Sequence, residues 1–224
     1  METLETKIVS VRFTPEFPHF MEVKDKISKE SFQLFCRRGI KSVSMDDIAA
    51  HLSMSKKTIY KWFQNKDQVV DAALRIYLFD MNTDCSQIST QASNAIEELF
   101  TIMQMIRQKM AGVHPVVFYD LQKYHPEAFK VWTTFKNEVL LQQILANLRK
   151  GVAEGFYRSD FDLEIIARLR LLQVEHAFNP DFFPPDQFNL QQVQLTILEH
   201  FMLGIATIKG HRLINALKQV TEEE

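Results

Sequence analysis

The amino-acid sequence predicts an all-α protein: a three-helix N-terminal head with a helix-turn-helix, joined to a longer helical body. Three observations predict it. Apolar residues recur at helical spacing along most of the chain, and apolar–polar alternation at strand length is nearly absent. No proline occurs from 19 to 114, which leaves long helices uninterrupted. Gly39, Gly112, Gly155 and Gly210 each fall where an apolar helical period stops, as helix C-caps do.

Helix 1 spans about 23–38, with Ile27, Ser31, Leu34 and Phe35 on one face and Gly39 at its end. Ser44 caps helix 2 (about 45–52), with Asp47 placed for a capping box. Ser55 caps helix 3 (about 56–63). Asn65 caps helix 4, which runs from there to about 84 with Gln68 at its third position. Further helices are expected at 92–111, 115–124, 127–153, 162–178, 187–208 and 211–220, with NPDFFPPDQ (179–187) as the clearest loop. Residues 1–20 look unlike the rest of the chain and are expected to be a loosely attached arm, or to precede a native start at Met21; packing through Phe13, Phe17 and Phe20 is the alternative. The head is then 21–66 and the body 67–224.

The chain has 224 residues, 46% apolar and 24% charged, which is enough to bury a core. No apolar run approaches the roughly 18 residues of a membrane span, and the N-terminus lacks a signal-peptide pattern, so a cytoplasmic protein with no membrane partner is expected. Cys36 and Cys85 are isolated and read as small, partly buried residues in a reducing compartment. The net charge of -2 hides an asymmetry. Residues 21–75 hold 11 Lys/Arg against 7 Asp/Glu, whereas 76–224 hold 13 against 18. A basic head on an acidic body suits a polyanion-binding end on a body that stays clear of the polyanion.

The stretch SKKTIYKWFQNKDQ (55–68) concentrates that charge. Ile48, Leu52, Ile59 and Phe63 are spaced to pack two short helices together, Ala49 lets their axes approach, and Met54 plugs the turn. The other face of helix 3 shows Lys56, Lys57, Thr58, Tyr60, Lys61 and Trp62. Lysines and a helix N-terminus suit phosphates; hydroxyls and amines reach base edges in a major groove. A solvated lysine face is the bland alternative, but cap, turn, core spacing and charge agree here. The string WFQN is familiar from homeodomain recognition helices, yet Asp67 and Gln68 follow and Asn65 is better placed to cap a new helix, so it is a decoy.

The segments ISKESFQLFCRRG (27–39) and SMDDIAAHLSMSKKTIYKWFQNKDQVV (44–70) resemble the TetR family of bacterial transcriptional repressors. The resemblance implies a homodimer that binds double-stranded operator DNA, with a variable body holding a small-molecule pocket and the dimer interface. By the family pattern, Lys56, Lys57, Thr58, Tyr60, Lys61 and Trp62 meet DNA, and Ser44 and Lys66 hold phosphates. Where the family usually has a turn glycine, this chain has Ser53; a left-handed conformation there costs roughly 1 kcal/mol. Two-fold symmetry implies a pseudo-palindromic operator.

In the body, helices 162–178 and 187–208 are apolar on two faces, the pattern of a deeply buried or subunit-bridging helix. The family's four-helix dimer bundle places Ile166, Leu169, Leu198, Met202 and Ile205 at the interface. Met103, Met110, Phe118, Tyr119, Trp132, Phe135 and His176 are pocket candidates, with an ordinary packed core as the alternative; such a lining favours an apolar or aromatic effector. Two rival classes are an architectural DNA-binding protein without a ligand, and a helical-bundle metalloenzyme built on Glu175-His176 and Glu199-His200. Adjacent helical residues diverge by about 100°, and the Glu-x-x-His spacing of carboxylate bundles is absent at both places. No metal site, cofactor or catalytic motif is expected.

Overall fold

The computed structural model describes residues 21–219. Its helices are α1 (Met21–Arg38), α2 (Met45–His51), α3 (Lys56–Trp62), α4 (Lys66–Gln91), α5 (Ala95–Lys109), α6 (Val116–Tyr124), α7 (Pro126–Phe135), α8 (Leu141–Ala153), α9 (Leu163–His176), α10 (Leu190–Ile205) and α11 (Ile208–Lys218). A π turn at Lys136–Leu140 joins α7 to α8. Among the described residues the only extended pairing is an isolated bridge between Tyr157 and Ala206. The expectations for residues 1–20 and for the acidic end of the chain lie outside the described residues.

Side-chain caps start the head helices where the sequence places them. Ser44 accepts from the Asp47 amide while Asp47 accepts from the Ser44 amide, closing the capping box. Ser55 accepts from the Thr58 amide and Asn65 from the Gln68 amide, so the asparagine of WFQN is a cap. Helix α4 extends to Gln91, past the expected end near 84. Gly39, Gly112 and Gly155 have positive φ at helix ends. Gly210 does not end a helix: it lies inside α11, where its amide donates to the Thr207 cap. A Cβ there would sit 2.3 Å from the Phe156 carbonyl oxygen, so this glycine serves a close backbone approach.

Two apolar cores form. The first joins Ile27, Leu34 and Phe35 of α1 and Ile48, Ile59 and Phe63 of the head to Val69, Val70, Leu74 and Leu78 of α4, and to Leu121 and Trp132 of α6 and α7. The second packs α5, α8, α9, α10 and α11 around Ile96, Leu148, Leu198, Met202 and Ile214. The head therefore has no core of its own. Its apolar residues share one with α4, α6 and α7.

Candidate functional site

The head builds one surface. Ile48 and Ile59 are fully buried, with Ala49 and Phe63 beside them, which fixes α2 against α3. The turn closes through Met54 N donating to Ala49 O at 2.9 Å. Ser53 takes φ +53, the left-handed turn expected where a glycine is usual. On the outer face of α3, Lys57, Tyr60 and Lys61 are exposed, Tyr60 at 50%. Lys56 is also exposed, but its ammonium lies 2.5 Å from Asp46. Thr58 Oγ1 sits 2.8 Å from Ser55 Oγ within the cap, and Trp62 packs half-buried against the first core.

The two expected phosphate ligands are held from within the protein. Ser44 Oγ donates to Asp47 at 2.5 Å. That bond, the Ser44 amide and Arg38 keep the Asp47 carboxyl down at about 2. Lys66 is half-buried, its Nζ 3.4 Å from the Lys41 carbonyl oxygen. Burial pulls its pKa down, opposed by the charges of Asp120, Asp67 and Asp47.

Helix α6 clamps the head from below. The His114 amide, just before it, donates to Cys36 O at 2.6 Å. Asp120, 3% exposed, accepts from the Lys41 amide at 2.8 Å. His125 Nδ1–H donates to Asp67 at 2.6 Å, and Lys41 Nζ lies 5.0 Å from the centre of the Tyr124 ring. Gly39, at φ +80, gives α6 room: a Cβ there would lie 2.7 Å from Val116 Cγ1.

Behind this clamp lies a cavity of about 490 Å³. Helices α1, α4, α5, α6, α8, α9 and α10 contribute to its wall, through residues such as Phe35, Tyr77, Leu121, Ile144 and Phe201. Of the sequence-predicted lining, Met110, Phe118 and Trp132 are on the wall. Phe118 stacks on Phe178 at 5.2 Å and meets the Trp132 ring edge-on at 5.6 Å. The other four are elsewhere. Met103 is packed into the second core, and Phe135 packs beside Trp132 on the first core. Tyr119 is 39% exposed and accepts from Lys123 at 2.7 Å. His176 is exposed, edge-on to Phe182. Cys36 and Cys85 line the cavity, and burial pushes their thiols up to about 12 and about 11, so both stay protonated. The sequence reading also passes over Arg170, which lies on the wall. Its signal is an arginine four residues after Ile166 and four before Val174, inside an apolar stripe.

The expected dimer face is partly overturned. Leu198, Met202 and Ile205 are 1%, 0% and 3% exposed and belong to the protein's own second core. Ile166 is half-buried against that core. Leu169 points outward at 45% exposure, flanked on α9 by Ile165 at 66% and Leu172 at 50%.

The residue pairs behind the metal reading are engaged elsewhere. Glu175 pairs with Lys136 at 2.8 Å, and Glu199 pairs with Lys218. Among the described residues no group of three or more His, Cys, Asp or Glu could hold a metal ion, and no helix is long and apolar enough to cross a membrane.

Residues 27–73, the segment that carries the helix-turn-helix, match the family described as bacterial regulatory proteins, tetR family. The chain is a TetR-family transcriptional regulator. It is 25% identical to the HTH-type transcriptional regulator YvaF of Bacillus subtilis over 182 residues, 80% of this chain and 94% of that one. It is 24% identical to the HTH-type transcriptional repressor KstR2 of Mycolicibacterium smegmatis over 148 residues, 65% and 72% of the two chains. A transcriptional regulator of Saccharomonospora viridis, solved in complex with choline, shares the fold at TM-score 0.65 and 17% identity, over 84% of this chain and 99% of that one. This TetR-family regulator is a DNA-binding transcription factor and not an enzyme. Regulators of its family bind operator DNA, dimerise and bind small-molecule ligands.

Proposed function

We propose that this regulator is a cytoplasmic homodimeric repressor that leaves a pseudo-palindromic operator when an apolar effector enters the 490 Å³ cavity. Lys57, Tyr60 and Lys61 are its principal DNA contacts, joined by Lys56, Thr58 and Trp62, with Ser44 and Lys66 at phosphates. Ile165, Leu169 and Leu172 of α9 meet the second copy. One observation carries the ligand coupling: α6 lines the cavity through Val117, Phe118 and Leu121 and holds the head through Asp120. An effector that displaces those side chains acts on the Lys41 loop and the start of α4. The spacing of the two α3 helices then shifts away from the DNA-competent population.

The test is fluorescence anisotropy on DNA from upstream of the regulator's own gene, against scrambled DNA of equal length, at two salt concentrations. Preferential binding to the native DNA supports the proposal. Equal, salt-sensitive binding to both sequences would make the protein an architectural binder.

A further inference from the structure

The cavity wall is mostly apolar, yet a cation is built into it. Arg170 of α9 is 5% exposed, and its Nη1 has no hydrogen-bond partner. Among the described residues no carboxylate pairs with its guanidinium; its neighbour is the Phe201 ring, 5.6 Å away. The other charged groups on the wall are balanced. Glu98 faces Lys150 at 3.4 Å, and Lys109 pairs with Asp84 at 2.6 Å. Burial lowers the Arg170 pKa to about 10, which still leaves it charged at neutral pH.

A buried charge without a partner is an unfavourable arrangement for a folded core. Any effector that fills the cavity without an anion would leave it so. One that brings a single planar anion would complete it, because guanidinium and carboxylate match in a two-point pair. Among the described residues the wall carries one unbalanced cation, so a singly charged group fits better than a phosphate dianion. The volume lies within the roughly 300–1,000 Å³ of small-molecule pockets.

We infer that the effector is an amphiphilic carboxylate, its apolar body in the cavity and its carboxylate on Arg170. This rests on the cavity being the effector site. Two matched pairs of probes separate the two statements: dodecanoate with 1-dodecanol, and 1-pyrenebutyrate with 1-pyrenebutanol. Each is titrated calorimetrically into the full-length wild type, Arg170→Met and Arg170→Lys, with helicity checked by circular dichroism. In the wild type at least one acid binds about tenfold or more tighter than its alcohol, the order of a charge-assisted bond. Arg170→Met loses that preference and still takes the alcohol, and Arg170→Lys retains part of it. If in neither pair the acid binds the wild type tighter than its alcohol, or if the preference survives in Arg170→Met, the carboxylate assignment is overturned while the effector site stands. Binding of neither scaffold overturns both.

Discussion

The lysines of α3 are not equivalent, and the difference is measurable. Lys56 is already 2.5 Å from Asp46, whereas Lys57 and Lys61 are exposed and have no ion pair among the described residues. Each lysine that neutralises a phosphate steepens the fall of log K with log salt by about 0.9. A dimer carries every substitution twice, so Lys57→Ala or Lys61→Ala flattens the slope by about 1.8. Between 50 and 200 mM salt the wild type then loses about tenfold more affinity than either variant. Lys56→Ala flattens it less, because Lys56 must leave Asp46 to reach a phosphate. Releasing it through Asp46→Asn tightens binding, by at most about 1 kcal/mol per subunit, the worth of an exposed pair, and so at most about 2 kcal/mol for the dimer. The assay is anisotropy against operator DNA at four salt concentrations. Equal slopes for wild type, Lys57→Ala and Lys61→Ala would show that neither side chain sits at a phosphate. A Lys56→Ala slope as flat as theirs would show that the Asp46 pair does not hold that lysine back.

The packing predicts three further outcomes. Gly151→Ala places a Cβ 2.0 Å from the Tyr157 ring, whose hydroxyl is tied to Ala95 O and Asn147 at 3.0 and 3.1 Å. Overpacking plus strained hydrogen bonds costs about 3 kcal/mol, and calorimetry should show Tm falling by roughly 10 °C; an unchanged Tm would mean the ring can move aside. Leu169→Glu puts a carboxylate on the outward α9 stripe of both copies, and sedimentation equilibrium should show a monomer; a persistent dimer would place the interface elsewhere. Arg170→Met should raise the Tm of the ligand-free protein. The fall of the guanidinium pKa from its ordinary value to about 10 on burial corresponds to roughly 3 kcal/mol against the folded state. That cost is fully present below the folded-state pKa of about 10 and fades as pH rises through it toward the ordinary guanidinium value, so the Tm gain is constant across pH 6–9. A lowered Tm would show that Arg170 stabilises the fold.

The head was legible because its signals are local. Ser44, Ser55 and Asn65 cap the helix immediately after each of them, and the left-handed Ser53 is set by the length of the turn between α2 and α3. Where the sequence reading failed, the deciding partner is distant in the chain. Gly210 looks like a stop, yet its reason is the Phe156 carbonyl, more than fifty residues earlier. The apolar stripes of α10 do not say which faces a second copy, and Leu198, Met202 and Ile205 turn into the same protein's core. The end of α4 is polar, DCSQISTQ, a composition that argues for stopping near 84. Ser86, Ser89 and Thr90 continue the helix along the cavity. A cavity is an absence of side chains, so periodicity on any one helix cannot outline it; four of the seven predicted lining residues lie off its wall for that reason.

The shared first core sets limits on engineering. A cut after residue 66 would strip Ile48, Ile59 and Phe63 of the α4, α6 and α7 side chains that bury them. The excised segment would be unable to fold as a portable DNA reader. A chimaera that moves this specificity onto another sensor must carry α4, α6 and α7 with the first three helices, or supply a body whose matching helices reproduce that apolar surface. For the same reason heat should melt the DNA-contacting end and the first core together, so a compound that stabilises the cavity will protect residues that never touch it.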